Sequence, residues 1–258
     1  MTAPARYTTE SVTWIHRWAP HLFSFRITRP DSFRFTPGQF GRLGLAHIDR
    51  ADQLVWRAYS MASARDADYL EFYSILVPGG EFSIPLARLD VGSTILVDRS
   101  VYGFLTADRF EHGKDLWMLA TGTGLAPFVA MLGDERVWHD YENLVVVHSV
   151  RETHELAYRK EIEALRDAPA FAGAKLHYIP TLTREYNSAG MLDGRITTRV
   201  ADGLLEARVG IAIEPLRARA LICGNPGMVA ETRKLLSARG FAPSRRASPG
   251  QFVVENYW

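Results

Sequence analysis

One cysteine, Cys223, stands among 258 residues. That excludes an internal disulfide framework, a four-cysteine zinc site and a cysteine-ligated iron–sulfur cluster, and it suits a reducing compartment. An excess of charge of either sign is also lacking. Lys and Arg number 30 against 29 Asp and Glu, so the chain as a whole carries no electrostatic footprint for nucleic acid or an anionic membrane, and recognition by charge must be local. No apolar run approaches the ~20 residues that span a bilayer. The start, MTAPARYTTESVTWIHRW, lacks the basic-then-apolar order of a secretory signal, and the expectation is a cytoplasmic protein. The eight histidines show no H-E-x-x-H or similar ligand spacing, and no G-x-S-x-G elbow occurs. Neither a metal site nor a serine hydrolase is expected.

What is present is an ordinary globular composition, 47% hydrophobic and 23% charged, in a chain long for one core and suited to two. Its rhythm changes midway. From about residue 10 to about residue 108, short runs (LFSFRIT, PGQFGRLGL, LEFYSILV, STILVD) are punctuated by Pro37-Gly38, Gly79-Gly80 and Gly92-Ser93. Short, turn-bounded runs predict an antiparallel barrel or sandwich, with FSIPLARL as a short helix over one end. After EHGKD, apolar strands alternate with longer amphipathic stretches: LWMLAT then GLAPFVAMLGDERVW, NLVVVHSV then ELAYRKEIEALRD, KLHYIPTLT, and ALICGN then PGMVAETRKLLSARG. This is the pattern of a parallel sheet wrapped by helices. The expected boundary divides 1–110 from 111–258. REYNSAGMLDG reads as a surface loop and SRRASPGQF as a linker.

In an open parallel sheet, ligands bind beyond the carboxyl ends of the strands. After LWMLA comes TGTGLAPF, where Gly122 and Gly124 allow backbone N–H groups to approach a phosphate and Thr121 and Thr123 add hydroxyls. A plain tight turn explains the same residues. A second glycine turn, CGNPGMV, follows ALI, with Asn225 as a helix cap and Pro226 at the first helical position. Cys223 sits at the same edge, where a free cysteine is either a small buried hydrophobe or a crevice residue. Two glycine turns at one edge point to a dinucleotide. Arg151 after the second strand, Thr183 and Arg184 after the third, and Arg195 in DGRIT favour a 2′-phosphate, hence NADPH, against Glu152 and Glu185 beside them. In the first half, WRAYSMAS places Arg57 and Tyr59 on one strand face and Ser60 on the other. A guanidinium suits a pyrophosphate, a phenol suits stacking, and a hydroxyl can reach a ring nitrogen.

RAYS, FYSILVPGGEFS, LWMLATGTGLAPF, VHSVR, LTRE, GRIT, CGNPGMV and a terminal VENYW occur in this order across nearly the whole chain. The series resembles the bacterial ferredoxin/flavodoxin–NADP reductases, with an ending similar to that of the enterobacterial branch. The resemblance implies an N-terminal FAD-binding antiparallel barrel and a C-terminal NADP-binding α/β domain. It further implies that Arg57 holds the FAD pyrophosphate, Tyr59 packs on the flavin and Ser60 lies near its reactive nitrogen. Tyr73, Ile75, Val77 and Ser83 match flavin and phosphate contacts. Thr121, Thr123, Gly124 and Cys223 match contacts to the nicotinamide dinucleotide, and Arg151, Thr183, Arg184 and Arg195 its 2′-phosphate region.

By the same resemblance, Tyr257 of the Glu255-x-Tyr257 ending stacks on the isoalloxazine and Trp258 on the adenine, while Ser60, Cys223, Glu255 and Tyr257 position or polarise the reacting rings. The implied activity is reversible electron transfer between NADP(H) and an acidic carrier, ferredoxin or flavodoxin, by a monomer, with Arg245 and Arg246 as a docking rim and Arg233, Lys234 and Arg239 as further candidates. An NADH-dependent flavin reductase of the oxygenase-component or siderophore-reductase type, and a non-catalytic dinucleotide-binding sensor, are the alternatives.

Overall fold

The computed structural model describes residues 6–47, 50, 52–186 and 191–256. The first half holds β1 (Tyr7–Ala19), β2 (Leu22–Thr28), β3 (Phe40–Ala46), β4 (Leu54–Ser60), β5 (Tyr69–Ile75), α1 (Ser83–Ala87) and β6 (Thr94–Asp98). The strands form one antiparallel sheet in the order β4-β3-β6-β1-β2-β5. Its two outer strands meet through a bridge between Met61 and Phe72 and a hydrogen bond from Ala62 N–H to the Glu71 carbonyl at 2.7 Å. The sheet thus curls into the expected barrel. Leu86 of α1 is buried in the barrel core, so the FSIPLARL helix does cover one end.

The second half holds β7 (Asp115–Thr121), α2 (Ala126–Leu132), α3 (Glu135–Asp140), β8 (Asn143–Val150), α4 (Arg159–Asp167), β9 (Lys175–Leu182), β10 (Leu192–Asp193), α5 (Ile196–Ala201), α6 (Leu204–Val209), β11 (Ala218–Gly224), α7 (Pro226–Ala238) and β12 (Phe252–Asn256). These strands pair in parallel in the order β10-β9-β8-β7-β11-β12. Both faces of the sheet are covered. Leu116, Met118 and Ala120 of β7 enter one buried cluster, and Trp117 and Leu119 enter another. That double burial is why LWMLA and NLVVV are continuous apolar runs rather than alternating ones.

Several elements depart from the sequence expectation. The long helix after β7 is two helices broken at Gly133, with Asp134 accepting from Arg136 N–H at 3.1 Å to cap the second. The helix in ELAYRKEIEALRD starts only at Arg159, after a 3₁₀ turn at Thr153–Glu155 and Tyr158 in the left-handed region at φ 58°. The loop near Asp193 ends in the short edge strand β10, and SRRASPGQF folds back through bridges Arg245 to Ser248 and Pro243 to Phe252. The tail is a strand, β12, in register with β11. Among the described residues, no helix is long and apolar enough to cross a membrane.

The two halves share a core. β2 and β5 send Phe23, Phe25, Ile27, Leu70 and Phe72 into the barrel, while Leu22 and Tyr73 join the cluster that contains Phe128, Met131 and Tyr158 of the second half. Within that seam runs a chain of hydrogen bonds. Trp18 Nε1 donates to Ser24 Oγ at 2.9 Å, Ser24 Oγ to Tyr158 Oη at 2.5 Å, and Tyr158 Oη to Glu71 Oε1 at 2.8 Å, with Arg26 Nε on the other Glu71 oxygen at 2.8 Å. All members are satisfied, which makes the seam specific as well as apolar. Tyr158→Phe keeps the ring and leaves Ser24 and Glu71 short of a buried partner. Urea unfolding of that variant should show a loss of about 1–3 kcal/mol.

Candidate functional site

The barrel opens into a cleft of about 470 Å³ at the end where β4 and β5 meet the loop 77–83. Arg57, Tyr59 and Ser60 of β4 all line it, as do Tyr73, Ile75, Val77 and Ser83. Tyr59 rests its ring against Phe25, Phe72 and Phe82, with centroids 6.4, 6.2 and 5.7 Å away. Its hydroxyl lies 3.1 Å from Ser74 Oγ, and burial pushes the phenol up to about 12, so it stays a neutral apolar wall with a polar tip.

Arg57 is exposed, and its guanidinium lies 3.5 Å from Glu81. So exposed a pair contributes little on its own and yields readily to a doubly charged pyrophosphate. Ser83 Oγ accepts from Val77 N–H at 3.0 Å and donates to the Val77 carbonyl at 3.3 Å, closing the Gly79-Gly80 loop on itself. Tyr73, which also lines the cleft, meets the Tyr158 ring edge to face at a centroid distance of 5.5 Å. Burial raises its phenol, which has no hydrogen-bond partner among the described residues.

The second half reaches the same cleft. β8, β9 and β10 lie on one side of β7, and β11 and β12 on the other. The turns after β7 and β11 therefore flank the switch point where such sheets bind ligands. The two turns interlock. Thr121 Oγ1 accepts from Asn225 N–H at 2.8 Å, and a Cβ at Gly124 would sit 2.5 Å from the Cys223 carbonyl oxygen. Asn225 caps α7 by accepting from Gly227 and Met228 N–H at 2.9 and 3.2 Å, with Pro226 next, as the sequence predicts. Thr123, beside Gly124, lines the barrel cleft. Cys223 does not: it is fully buried in the seam core.

Under the first turn lies His148, fully buried, with Nε2 3.2 Å from the Gly122 carbonyl. Burial brings it down to about 4, so the neutral ring donates to that carbonyl.

Glu255 enters the cleft from β12, opposite Cys223 in register. Ser60 Oγ donates to its Oε1 at 3.4 Å, and burial raises the carboxyl to about 7 against that hydrogen bond. It is the cleft group whose charge changes near neutrality. The expectations for Tyr257 and Trp258 fall outside the described residues.

The arginines gather at the far end of the same sheet edge. Arg151 follows β8, Arg184 follows β9 and Arg195 caps α5 beyond β10. All three are exposed and, among the described residues, form no ion pair. Thr183 Oγ1 donates to the Val150 carbonyl at 3.2 Å and Arg184 N–H to the Arg151 carbonyl at 2.9 Å. The neighbouring carboxylates are engaged elsewhere. Glu152 caps the Thr153–Glu155 turn and pairs with His154 at 3.4 Å, and Glu185 accepts from Thr153 N–H at 3.1 Å and from its hydroxyl.

Sequence reasoning missed Glu81, Phe40 and Asn256 of the cleft, and also His21, Glu155 and Tyr158 of the seam. The seam contacts join residues 134 positions apart, for which no local pattern gives a signal. Of the helix charges considered for a docking rim, Arg239 is an internal tie, 2.8 Å from Glu206.

A barrel cleft walled by residues of a parallel-sheet switch point defines a class, the oxidoreductases that bring a flavin and a nicotinamide dinucleotide together. The chain matches the oxidoreductase FAD-binding domain over residues 17–103 and the oxidoreductase NAD-binding domain over 118–234. Ferredoxin–NADP reductase A of Sorangium cellulosum is 40% identical over 254 residues, 96% of this chain and 89% of that one. The crystal structure of a ferredoxin NADP+ reductase from Neisseria gonorrhoeae with bound FAD and NADP, 36% identical, superposes with a TM-score of 0.91 over 98% of this chain and 100% of that one. The ferredoxin reductase in carbazole 1,9a-dioxygenase, 22% identical with a TM-score of 0.75 over 100% of this chain and 71% of that one, shares the fold. The chain belongs to the bacterial ferredoxin/flavodoxin–NADP reductase family.

The Glu255 carboxyl in the folded chain lies above its ordinary 4.5. The folded state therefore holds this proton more tightly than the unfolded one, and the resulting stability is present below pH 4.5 and lost as pH rises through about 7. Glu255→Gln should flatten that decline, on the order of 1–2 kcal/mol after screening, in urea unfolding across this range.

Proposed function

We propose that this chain is an FAD-dependent reductase that exchanges electrons between NADP(H) and a one-electron carrier, ferredoxin or flavodoxin. The observation that carries the reading is the shared wall. Thr123 from the first glycine turn and Glu255 from the tail strand line the same cleft as Arg57, Tyr59 and Ser60. A nicotinamide entering over Thr123 would meet a ring held against Tyr59.

The cleft fits FAD in chemistry. It has an apolar aromatic side at Tyr59 and Phe82, an exposed guanidinium at Arg57 for a pyrophosphate, and a glycine loop closed by Ser83 next to it. When bound, FAD accepts hydride from the nicotinamide and returns electrons singly. The chain's own residues orient and shield. Tyr59 and Tyr73 wall the ring site, Ser60 and Glu255 offer a hydrogen-bonded pair able to hold a proton beside it, and Gly124 with Thr121 fixes the turn on which the dinucleotide lies. Cys223 packs beneath that turn. Ile75 and Val77 would contact the flavin edge.

Arg151, Thr183, Arg184 and Arg195 would take the 2′-phosphate, which makes NADPH the preferred donor. The boundary near residues 110 and 111, action as a monomer and residence in the cytoplasm belong to the same reading. Anaerobic addition of about one to two equivalents of NADPH should bleach the flavin bands of the purified protein, whereas NADH should need at least about tenfold more. Equal bleaching by both would favour the NADH-dependent alternative.

For the carrier, a patch at the cleft rim supports an acidic partner. Phe104 is exposed and flanked by the Arg109 and Arg246 guanidinium groups, 4.7 and 5.9 Å from its ring. The preceding Gly103 abuts Phe40 and the Glu255 carboxylate. An aromatic anchor ringed by positive charge suits a protein whose docking face is acidic. Reversing Arg109 and Arg246 to Glu should slow reduction of added ferredoxin or flavodoxin at least about tenfold at low ionic strength, and should flatten the salt dependence shown by the parent chain.

A further inference from the structure

The two-residue turn Pro20-His21 between β1 and β2 reaches from the barrel onto the second half. His21 is held at its own backbone, where its carbonyl accepts from Leu76 N–H at 2.8 Å. Its Nε2 lies 2.8 Å from Glu155 Oε1. The Glu155 side chain is only 9% exposed, so its charge needs partners on both oxygens. One oxygen looks to the barrel. The other, Oε2, accepts from Arg151 N–H at 2.8 Å and Glu152 N–H at 3.4 Å.

On its other side, the Arg151 carbonyl accepts from Arg184 N–H. The backbone on both flanks of Arg151 is therefore fixed, one flank by the third strand's turn and the other by a carboxylate whose remaining oxygen belongs to the barrel. A guanidinium grips a phosphate well only when its backbone is pre-organised, because a long side chain otherwise loses rotamer freedom on binding. The contact also has an electrostatic side. A hydrogen-bond donor on Glu155 offsets part of the negative charge buried beneath the Arg151 backbone.

We propose that His21, on the barrel, is a positioning residue for the 2′-phosphate of the dinucleotide, acting through Glu155 on the backbone that carries Arg151. The inference rests on the reading that Arg151 and Arg184 take that phosphate. It adds that the FAD-binding half contributes to nucleotide selectivity without touching the nucleotide. His21 lies outside the cleft, and the seam bonds of Tyr158 to Ser24 and Glu71 are independent of it. Removing its imidazole therefore leaves the halves joined and loosens only the Glu155 anchor.

The test uses the FAD-loaded protein and two probes, adenosine 2′,5′-bisphosphate and 5′-AMP, which differ by the 2′-phosphate alone. The parent chain should bind the bisphosphate more tightly. His21→Ala should weaken the bisphosphate about tenfold and 5′-AMP less than about twofold, and it should raise KM for NADPH with kcat for flavin reduction unchanged. His21→Gln, which keeps a donor toward Glu155, should recover most of the loss. In an Arg151→Ala background, His21→Ala should have no further effect on the bisphosphate.

Equal weakening of both probes, or no weakening of the bisphosphate by a chain that still prefers it, overturns the role of His21 and leaves the arginine reading standing. If the parent chain does not distinguish the two probes, the arginine reading fails and this inference fails with it. Should His21→Ala prove unstable, His21→Leu, which fills the space without a donor, decides by the same ratio: selective weakening of the bisphosphate that His21→Gln does not show supports the role, and an unchanged ratio in both overturns it.

Discussion

Two strands buried on both faces govern this molecule. An antiparallel strand usually packs one face and wets the other, but β2 and β5 have no free face. Phe23, Phe25, Leu70 and Phe72 fill the barrel, while Leu22, Ser24, Glu71 and Tyr73 meet the second half. The outward set is part polar, so it demands partners as well as contact. The Tyr158 hydroxyl supplies them from a left-handed backbone position that would be costly without such partners. The seam has one register. Sliding it would take the Tyr158 hydroxyl from Ser24 Oγ and Glu71 Oε1, leaving them only the bonds from Trp18 and Arg26 within the barrel.

Every feature of the site follows from that register. Because the barrel docks there, the turn after β7 opens onto the cleft that Arg57 and Tyr59 line, and Thr123 becomes a wall of it. Since β12 adds to the sheet beyond β11, the tail delivers Glu255 to Ser60 across the seam. The carboxyl is lifted toward neutrality because it sits between the two halves rather than on either surface. The arginine end is tied in as well, by His21 on Glu155. The barrel therefore meets the parallel sheet near both ends of the expected dinucleotide path.

Much of this was legible in the sequence, and what was not has a common cause. Period-2 runs and glycine pairs marked the barrel strands, and continuous apolar runs marked β7, β8 and β11 because sheets covered on both faces leave no polar positions. The turns TGTG and CGNPG stood out because glycine is required there. Gly124 packs its backbone against the Cys223 carbonyl, where a side chain has no room. The RAYS stretch proved to line the cleft residue for residue. What stayed hidden depends on distant pairing. Cys223, which the sequence leaves as either a small buried hydrophobe or a crevice residue, is buried beside the turn at Gly124. The short helices α5 and α6 and the edge strand β10 carry too few residues to show a period. His21 gains its role from Glu155, and Tyr158 part of its own from Ser24, partners 134 positions away.

The central claim is that one seam builds one composite site, with the flavin in the barrel cleft and the nucleotide phosphates on the sheet edge. A crystal structure of the chain with FAD and NADP+ tests it most directly. The account predicts the FAD pyrophosphate on Arg57 with Glu81 displaced, the isoalloxazine between Tyr59 and Glu255, the 2′-phosphate between Arg151 and Arg184, and the Tyr158 bonds to Ser24 and Glu71 intact. A flavin outside this cleft, or halves that separate at Tyr158 when both ligands bind, would contradict it.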